Sequence, residues 1–131
     1  MKELTGNIWD FHDMGRWIVI TTNGSVRKDG CAVMGRGVAL QAKTKFPALP
    51  AQLGQSIRDI GNLVRLFSEY RLVALPVKYN WFERADLSLI EQSVRDLCRC
   101  ADYGFYHETK PFLPTPVYMV RPGCGNGGVD W

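Results

Sequence analysis

Histidine is nearly absent, with only His12 and His107, and the four cysteines Cys31, Cys98, Cys100 and Cys124 form no C-x-x-C pair. Zinc sites are built on such spacings, so no metal is expected. No apolar run approaches the roughly 20 residues needed to cross a bilayer. The opening Met1-Lys2-Glu3 begins a charged, mixed segment without the apolar stretch of a secretory leader. These absences predict a protein of the reducing cytoplasm with free thiols and no membrane contact. Repeats, low-complexity tracts and blocks of like charge are missing too. The pattern G-x-x-x-x-G-K-[ST] does not occur, which argues against ordinary triphosphate hydrolysis.

What remains is the composition of a soluble globular protein. The 131 residues suit one domain, and 46% hydrophobic with 22% charged residues is enough apolar material for a real core without staples. The net charge of +3 is scattered along the chain. It suits an anionic ligand and is a weak sign of a nucleic-acid surface.

Apolar runs alternate with helical patterns. Trp17 to Thr22 (WIVITT) reads as a buried strand, as do Leu63 to Phe67, Leu72 to Val77 (LVALPV) and Val117 to Val120. A strand before Gly6 is a weaker expectation. Helices are predicted over Val38 to Lys45, Ala51 to Ile60 and Ala85 to Ala101. In the last of these, Leu87, Ile90, Val94, Leu97 and Ala101 form the apolar face, and Glu91, Arg95, Asp96 and Arg99 lie largely elsewhere. Tyr103 to Thr115 reads as a loop. Strands buried on both faces need helices on both sides, so the predicted class is α/β: a three-layer α/β/α sandwich with a mixed, largely parallel sheet. Ligands of such sheets lie beyond the carboxyl ends of the strands, which directs attention to the loops there.

The first loop carries Asn23-Gly24 and then Val33-Met34-Gly35-Arg36-Gly37-Val38, which opens a helix. Bare amides at a helix N-terminus favour phosphate. A tight turn needing positive φ explains the same glycines. Arg36 either adds a charge to the site or faces water. The last loop, Gly123-Cys124-Gly125-Asn126-Gly127-Gly128, holds four glycines in six residues. That density suits a ligand touching backbone, or a mobile terminal loop. Together the two loops form a candidate clamp for a diphosphate. After the LVALPV strand comes Lys78-Tyr79-Asn80-Trp81. Lys78 is either a partly desolvated nucleophile or a snorkelling surface lysine. Tyr79 and Trp81 either stack on a base or ribose, or pack on the sheet edge. His12 reads as a solvated loop histidine, and Cys98 and Cys100 as packing residues.

Taken in order, these segments resemble the macrodomain family, whose members bind ADP-ribose. The likeness runs through Gly6-Asn7-Ile8, Ile20-Thr21-Thr22-Asn23, Ala32 to Gln41 and Lys45-Phe46-Pro47. It continues through Pro76-Val77-Lys78 with Trp81, and Gly123 to Trp131. Within the family it is narrowest for the branch containing the DarG antitoxins, which remove ADP-ribose from DNA, and related glutamate-ADP-ribose hydrolases.

The resemblance implies one macrodomain-like domain over 1–131 that takes ADP-ribose or an ADP-ribosylated macromolecule, with nucleic acid as one carrier and no cofactor. Asn7 and Ile8 would lie at the adenine and Asn23 at the distal ribose. The backbone of Val33, Met34, Gly35, Arg36, Gly37 and Val38 would wrap the diphosphate from one side. Gly123, Cys124, Gly125, Asn126, Gly127 and Gly128 would close it from the other. Lys78 stands at the position of the branch's catalytic lysine, which attacks C1″ of the distal ribose.

Three departures matter. Asn7 replaces an Asp that many relatives use on the adenine amino group. Gly127 stands where the glutamate-specific hydrolases have a second catalytic residue, an Asp. The chain stops at Trp131, where relatives continue through a further helix and strand: either a minimal form or a truncated end. Three functions fit this pattern: an ADP-ribosyl hydrolase, a non-catalytic binder of ADP-ribose or a related signalling nucleotide, and an ADP-ribose 1″-phosphate phosphatase.

Overall fold

In the computed structural model of the chain, residues 6–103 and 117–120 are described, with residues 100–103 described by their backbone alone. The expected strand before Gly6, the loop read over 104–115 and the glycine loop 123–128 lie outside them.

Among the described residues, four strands form one sheet in the order β2-β3-β1-β4. They are β1 (Trp17–Asn23), β2 (Arg65–Phe67), β3 (Leu72–Lys78) and β4 (Val117–Met119). The central pair β1 and β3 is parallel, β4 runs parallel to β1, and β2 is antiparallel to β3. The helices are α1 (Ile8–Asp13), α2 (Gly37–Lys45), α3 (Leu49–Ile60) and α4 (Leu87–Tyr103).

The alternation of the strands sorts the core into two halves. Ile18, Ile20, Leu72 and Ala74 pack with Trp9 of α1, Ala39 and Ala42 of α2, and Leu49 and Leu53 of α3. On the opposite face Val19, Val73, Leu75 and Val77 pack with Val64, Leu66 and Ile90 of α4. The three-layer expectation therefore holds, with α1–α3 on one face and α4 on the other. Small residues on α2 allow it to lie close to the sheet, because Ala39 and Ala42 are its two buried positions.

Several boundaries and faces differ from the sequence reading. β2 is shorter than expected: Leu63 and Val64 precede it, with Leu63 half exposed. Residues 8–13 form a short helix rather than a loop, capped by Asn7, whose side-chain oxygen accepts the Trp9 N–H at 2.9 Å. His12 is consequently buried, not solvated; its Nε2 lies 2.7 Å from the Tyr70 carbonyl and its ring meets Trp9 edge-on.

Helix α4 keeps the middle of its predicted face and widens it. Ile90 is buried and Val94 and Leu97 pack partly on the core, as expected; Leu89, Ser93 and Asp96 are buried as well, and Leu87 is exposed. The Ser93 hydroxyl donates to the Pro76 carbonyl at 2.7 Å, and Gln92 donates to Asp96 at 3.0 Å, so polar groups sit on the inner face because they are paired there. Cys98, expected to pack, is exposed.

Helix α3 ends as its sequence signal predicts. Gly61 takes φ +91° and returns its N–H to the Ile57 carbonyl at 2.9 Å.

Candidate functional site

The site begins where β1 and β3 end side by side. In the parallel ladder Thr22 faces Pro76, the register then shifts, and Asn23 faces Lys78. Asn23, expected at the distal ribose, and Lys78, expected as the nucleophile, are thus neighbours at the carboxyl edge of the two central strands.

Asn23 holds the loop that follows β1. Its Oδ1 accepts the Ser25 N–H at 2.9 Å, an Asx turn, and its Nδ2 donates to the Val33 carbonyl at 3.0 Å. The Val33 N–H answers by donating to the Ser25 carbonyl at 3.1 Å. Between these anchors the chain makes an excursion, closed by a Val26–Ala32 bridge, and rests on α3 through the Ala32 N–H to the Pro50 carbonyl at 2.8 Å.

Gly54 makes that contact possible. A Cβ there would run into the Gly30 carbonyl and stand 2.9 Å from the Ala32 nitrogen.

Beyond Val33 the loop changes character. Met34 is buried and fixes the loop to the core, Gly35, Arg36 and Gly37 are exposed, and Val38 packs partly on the core. Arg36 is the N-cap residue of α2, no side chain caps the helix, and its first turn has no acidic residue. The first amides of α2 therefore open on an exposed, cationic stretch that suits phosphate oxygens. Gly37 takes φ +59°, so the tight-turn explanation of this glycine holds as well.

The turn after β3 is laced to the turn after β1. The Gly24 N–H donates to the Tyr79 carbonyl at 3.1 Å, and a Cβ on Gly24 would lie 2.8 Å from that oxygen. Asn62, following α3, donates to the Lys78 carbonyl at 3.2 Å. The Trp81 N–H donates to Ser25 Oγ at 3.0 Å. Lys78 is half-buried, and its Nζ donates to the Trp81 carbonyl at 3.2 Å. Partial burial, and then the charge of Arg36, hold the Lys78 amine below its usual value. That perturbation ties the 33–38 loop to the lysine electrostatically. Trp81 is exposed, as are Tyr79 and Phe82.

Asn23, Val33, Arg36, Lys78 and Trp81 are therefore brought into one neighbourhood. Asn7 caps α1, and Ile8 packs partly on the core cluster that also holds Met34 and Val38 of the first loop. Gly123, Cys124, Gly125, Asn126, Gly127 and Gly128 lie outside the described residues. Ser25, Gly24, Asn62 and Gly54 were not legible as site-building residues. The Asn-Gly-Ser run after a strand is the signal that marks Ser25, through the side-chain turn an Asn makes two residues on. Among the described residues no group of three His, Cys, Asp or Glu side chains is placed to hold a metal, and no helix is long and apolar enough to cross a membrane.

No family model and no curated protein matches the sequence. Solved structures do match. The macrodomain of Mycobacterium tuberculosis DarG superposes with a TM-score of 0.67 at 23% identity, over 88% of this chain and 73% of that one. The macrodomain of Thermus aquaticus DarG gives 0.53 at 21% identity, over 82% and 89%. The chain has the macrodomain fold. Thermosipho africanus DarTG, solved in complex with ADP-ribose, gives a TM-score of 0.60 at 19% identity; the macrodomain described here covers 88% of itself but 32% of that longer chain.

Proposed function

We propose that this macrodomain binds ADP-ribose at the carboxyl ends of β1 and β3 and hydrolyses it from a macromolecule, with Lys78 as nucleophile. The observation that carries the reading is the register pair Asn23–Lys78, beside an uncapped helix N-terminus and Arg36. The fold likeness to DarG macrodomains, and to a DarTG structure holding ADP-ribose, supports the ligand class.

In this reading the amides of residues 33–38 and Arg36 receive the diphosphate. Asn23 faces the distal ribose. Neutral Lys78 attacks C1″, the bond to the acceptor oxygen breaks, and the acceptor departs with a proton. Water then displaces the amine from C1″ and releases ADP-ribose. The lowered Lys78 basicity favours the neutral form that this step needs.

A second reading, a non-catalytic binder, draws on one observation: the Lys78 amine is already engaged by the Trp81 carbonyl. Release of ADP-ribose from modified single-stranded DNA and from glutamate-modified protein separates the two. Lys78→Ala is expected to bind ADP-ribose within about threefold of wild type and to lose release by about a thousandfold. Equal release by both proteins, or none from either substrate by wild type, sinks the lysine mechanism for those acceptors.

A further inference from the structure

The hydrogen bonds around Lys78 converge on a residue with no role so far. Ser25 touches all three segments of the site. Its N–H donates to Asn23 Oδ1 at 2.9 Å, its carbonyl accepts the Val33 N–H at 3.1 Å, and its hydroxyl accepts the Trp81 N–H at 3.0 Å. The first two bonds are made by backbone and serve the ligand loop. The third is made by the side chain and serves the lysine turn, because the carbonyl of Trp81 accepts from Lys78 Nζ at 3.2 Å.

We infer that Ser25 is a positioning residue for the nucleophile: its hydroxyl fixes the Lys78–Trp81 turn, and through the Trp81 carbonyl it holds the amine beside Asn23. The inference rests on the hydrolase reading above. Its chemistry is local. A lysine has four rotatable side-chain bonds, so an amine that must meet C1″ needs a fixed tether. The Trp81 carbonyl is that tether, and it keeps its direction only while the turn is fixed. The turn is held by Gly24 to Tyr79 on one side, by Asn80 and Glu83 within itself, and by Ser25 at Trp81. Of these, the Ser25 bond lies at the residue whose carbonyl meets the amine. Arg36 is the charged group that acts on Lys78 from the ligand loop, and it is untouched by changes at Ser25.

The division between backbone and side-chain bonds gives a clean test. Replacing Ser25 removes only the hydroxyl arm, so ligand affinity and lysine reactivity separate. Threonine and valine have nearly the same shape, and only threonine keeps the acceptor oxygen. The whole chain is incubated with saturating ADP-ribose and cyanoborohydride. The open-chain aldehyde at C1″ condenses with the Lys78 amine, water leaves, and hydride from the reductant converts the imine to a stable secondary amine. Intact mass and peptide mapping follow the adduct.

Wild type labels at Lys78, and Ser25→Thr labels within about threefold of it. Ser25→Val is expected about tenfold slower, the scale of one lost hydrogen bond, with the calorimetric affinity for ADP-ribose unchanged. Exchange of the Trp81 amide with deuterium, read by NMR, accelerates in Ser25→Val and not in Ser25→Thr. If Ser25→Val does not fold, Ser25→Ala takes its place with the same expectations. Equal labelling of the valine and threonine variants, with wild type reactive, overturns the role of Ser25 alone. Failure of wild type to label at Lys78 overturns the lysine mechanism and Ser25's role with it.

Discussion

At the scale of a single residue, the proposed function concentrates its chemistry on Lys78. A lysine normally titrates near 10.5, and here partial burial and the Arg36 charge both act against protonation. Lowering a lysine pKa raises the fraction of neutral, nucleophilic amine at any pH below it, so activity should rise with pH along a limb that lies lower than for a free lysine. Removing the Arg36 charge takes away the smaller of the two causes. Arg36→Gln is therefore predicted to shift that limb upward in pH without restoring the ordinary value, as read from the pH dependence of Lys78 labelling. A downward shift would show that Arg36 does not act on the amine.

The place of the lysine was legible in the sequence, because Lys78 follows the apolar run LVALPV and ends β3. Its tether was not. The bond from Lys78 to Trp81 and the one from Trp81 to Ser25 depend on which turns the fold brings together, 56 residues apart in the second case. His12 failed for a related reason. Its burial comes from α1 laying it against the Tyr70 carbonyl and Phe46, contacts between distant parts of the chain.

At the scale of elements, the loop between β1 and α2 is precise because α3 supports it. Gly54 lies within α3, where helix propensity alone predicts that alanine would stabilise by about 1 kcal/mol. The packing predicts the opposite. The added Cβ meets the backbone of Gly30 and Ala32, which cannot move aside as a flexible side chain can. Gly54→Ala should cost at least about 2 kcal/mol, measured by denaturant unfolding, and should weaken ADP-ribose binding because the loop shifts with its support. A stabilised variant would show that the loop does not rest on α3 as described.

From the sequence, Gly54 reads only as a weak point in a helix. The helical and strand cores were legible from their periodicity. The face of α4 was legible at Ile90, Val94 and Leu97 but not at Ser93 and Asp96, which look like outward residues until the Pro76 carbonyl and Gln92 provide their partners.

For the molecule as a whole, the two half-cores explain why solved structures share this fold while no family model or curated protein matches the sequence. At 19–23% identity the solved neighbours share few residues, yet the requirements for Ile18, Ile20, Leu72 and Ala74 on one face, and Val19, Val73, Leu75 and Val77 on the other, are met by any apolar residue of suitable shape. The sheet then sets Asn23 and Lys78 at one edge, with the uncapped start of α2 near them. Under the proposed function, ligand recognition depends on the diphosphate and distal ribose together.

The most direct test of that account is a calorimetric titration of the intact protein with ADP-ribose and, separately, with ADP, which lacks the distal ribose. Saturable one-site binding of ADP-ribose, at least about tenfold tighter than ADP, is the predicted result. Absence of binding to ADP-ribose, or equal affinity for the two, would contradict a site built around Asn23 and Lys78.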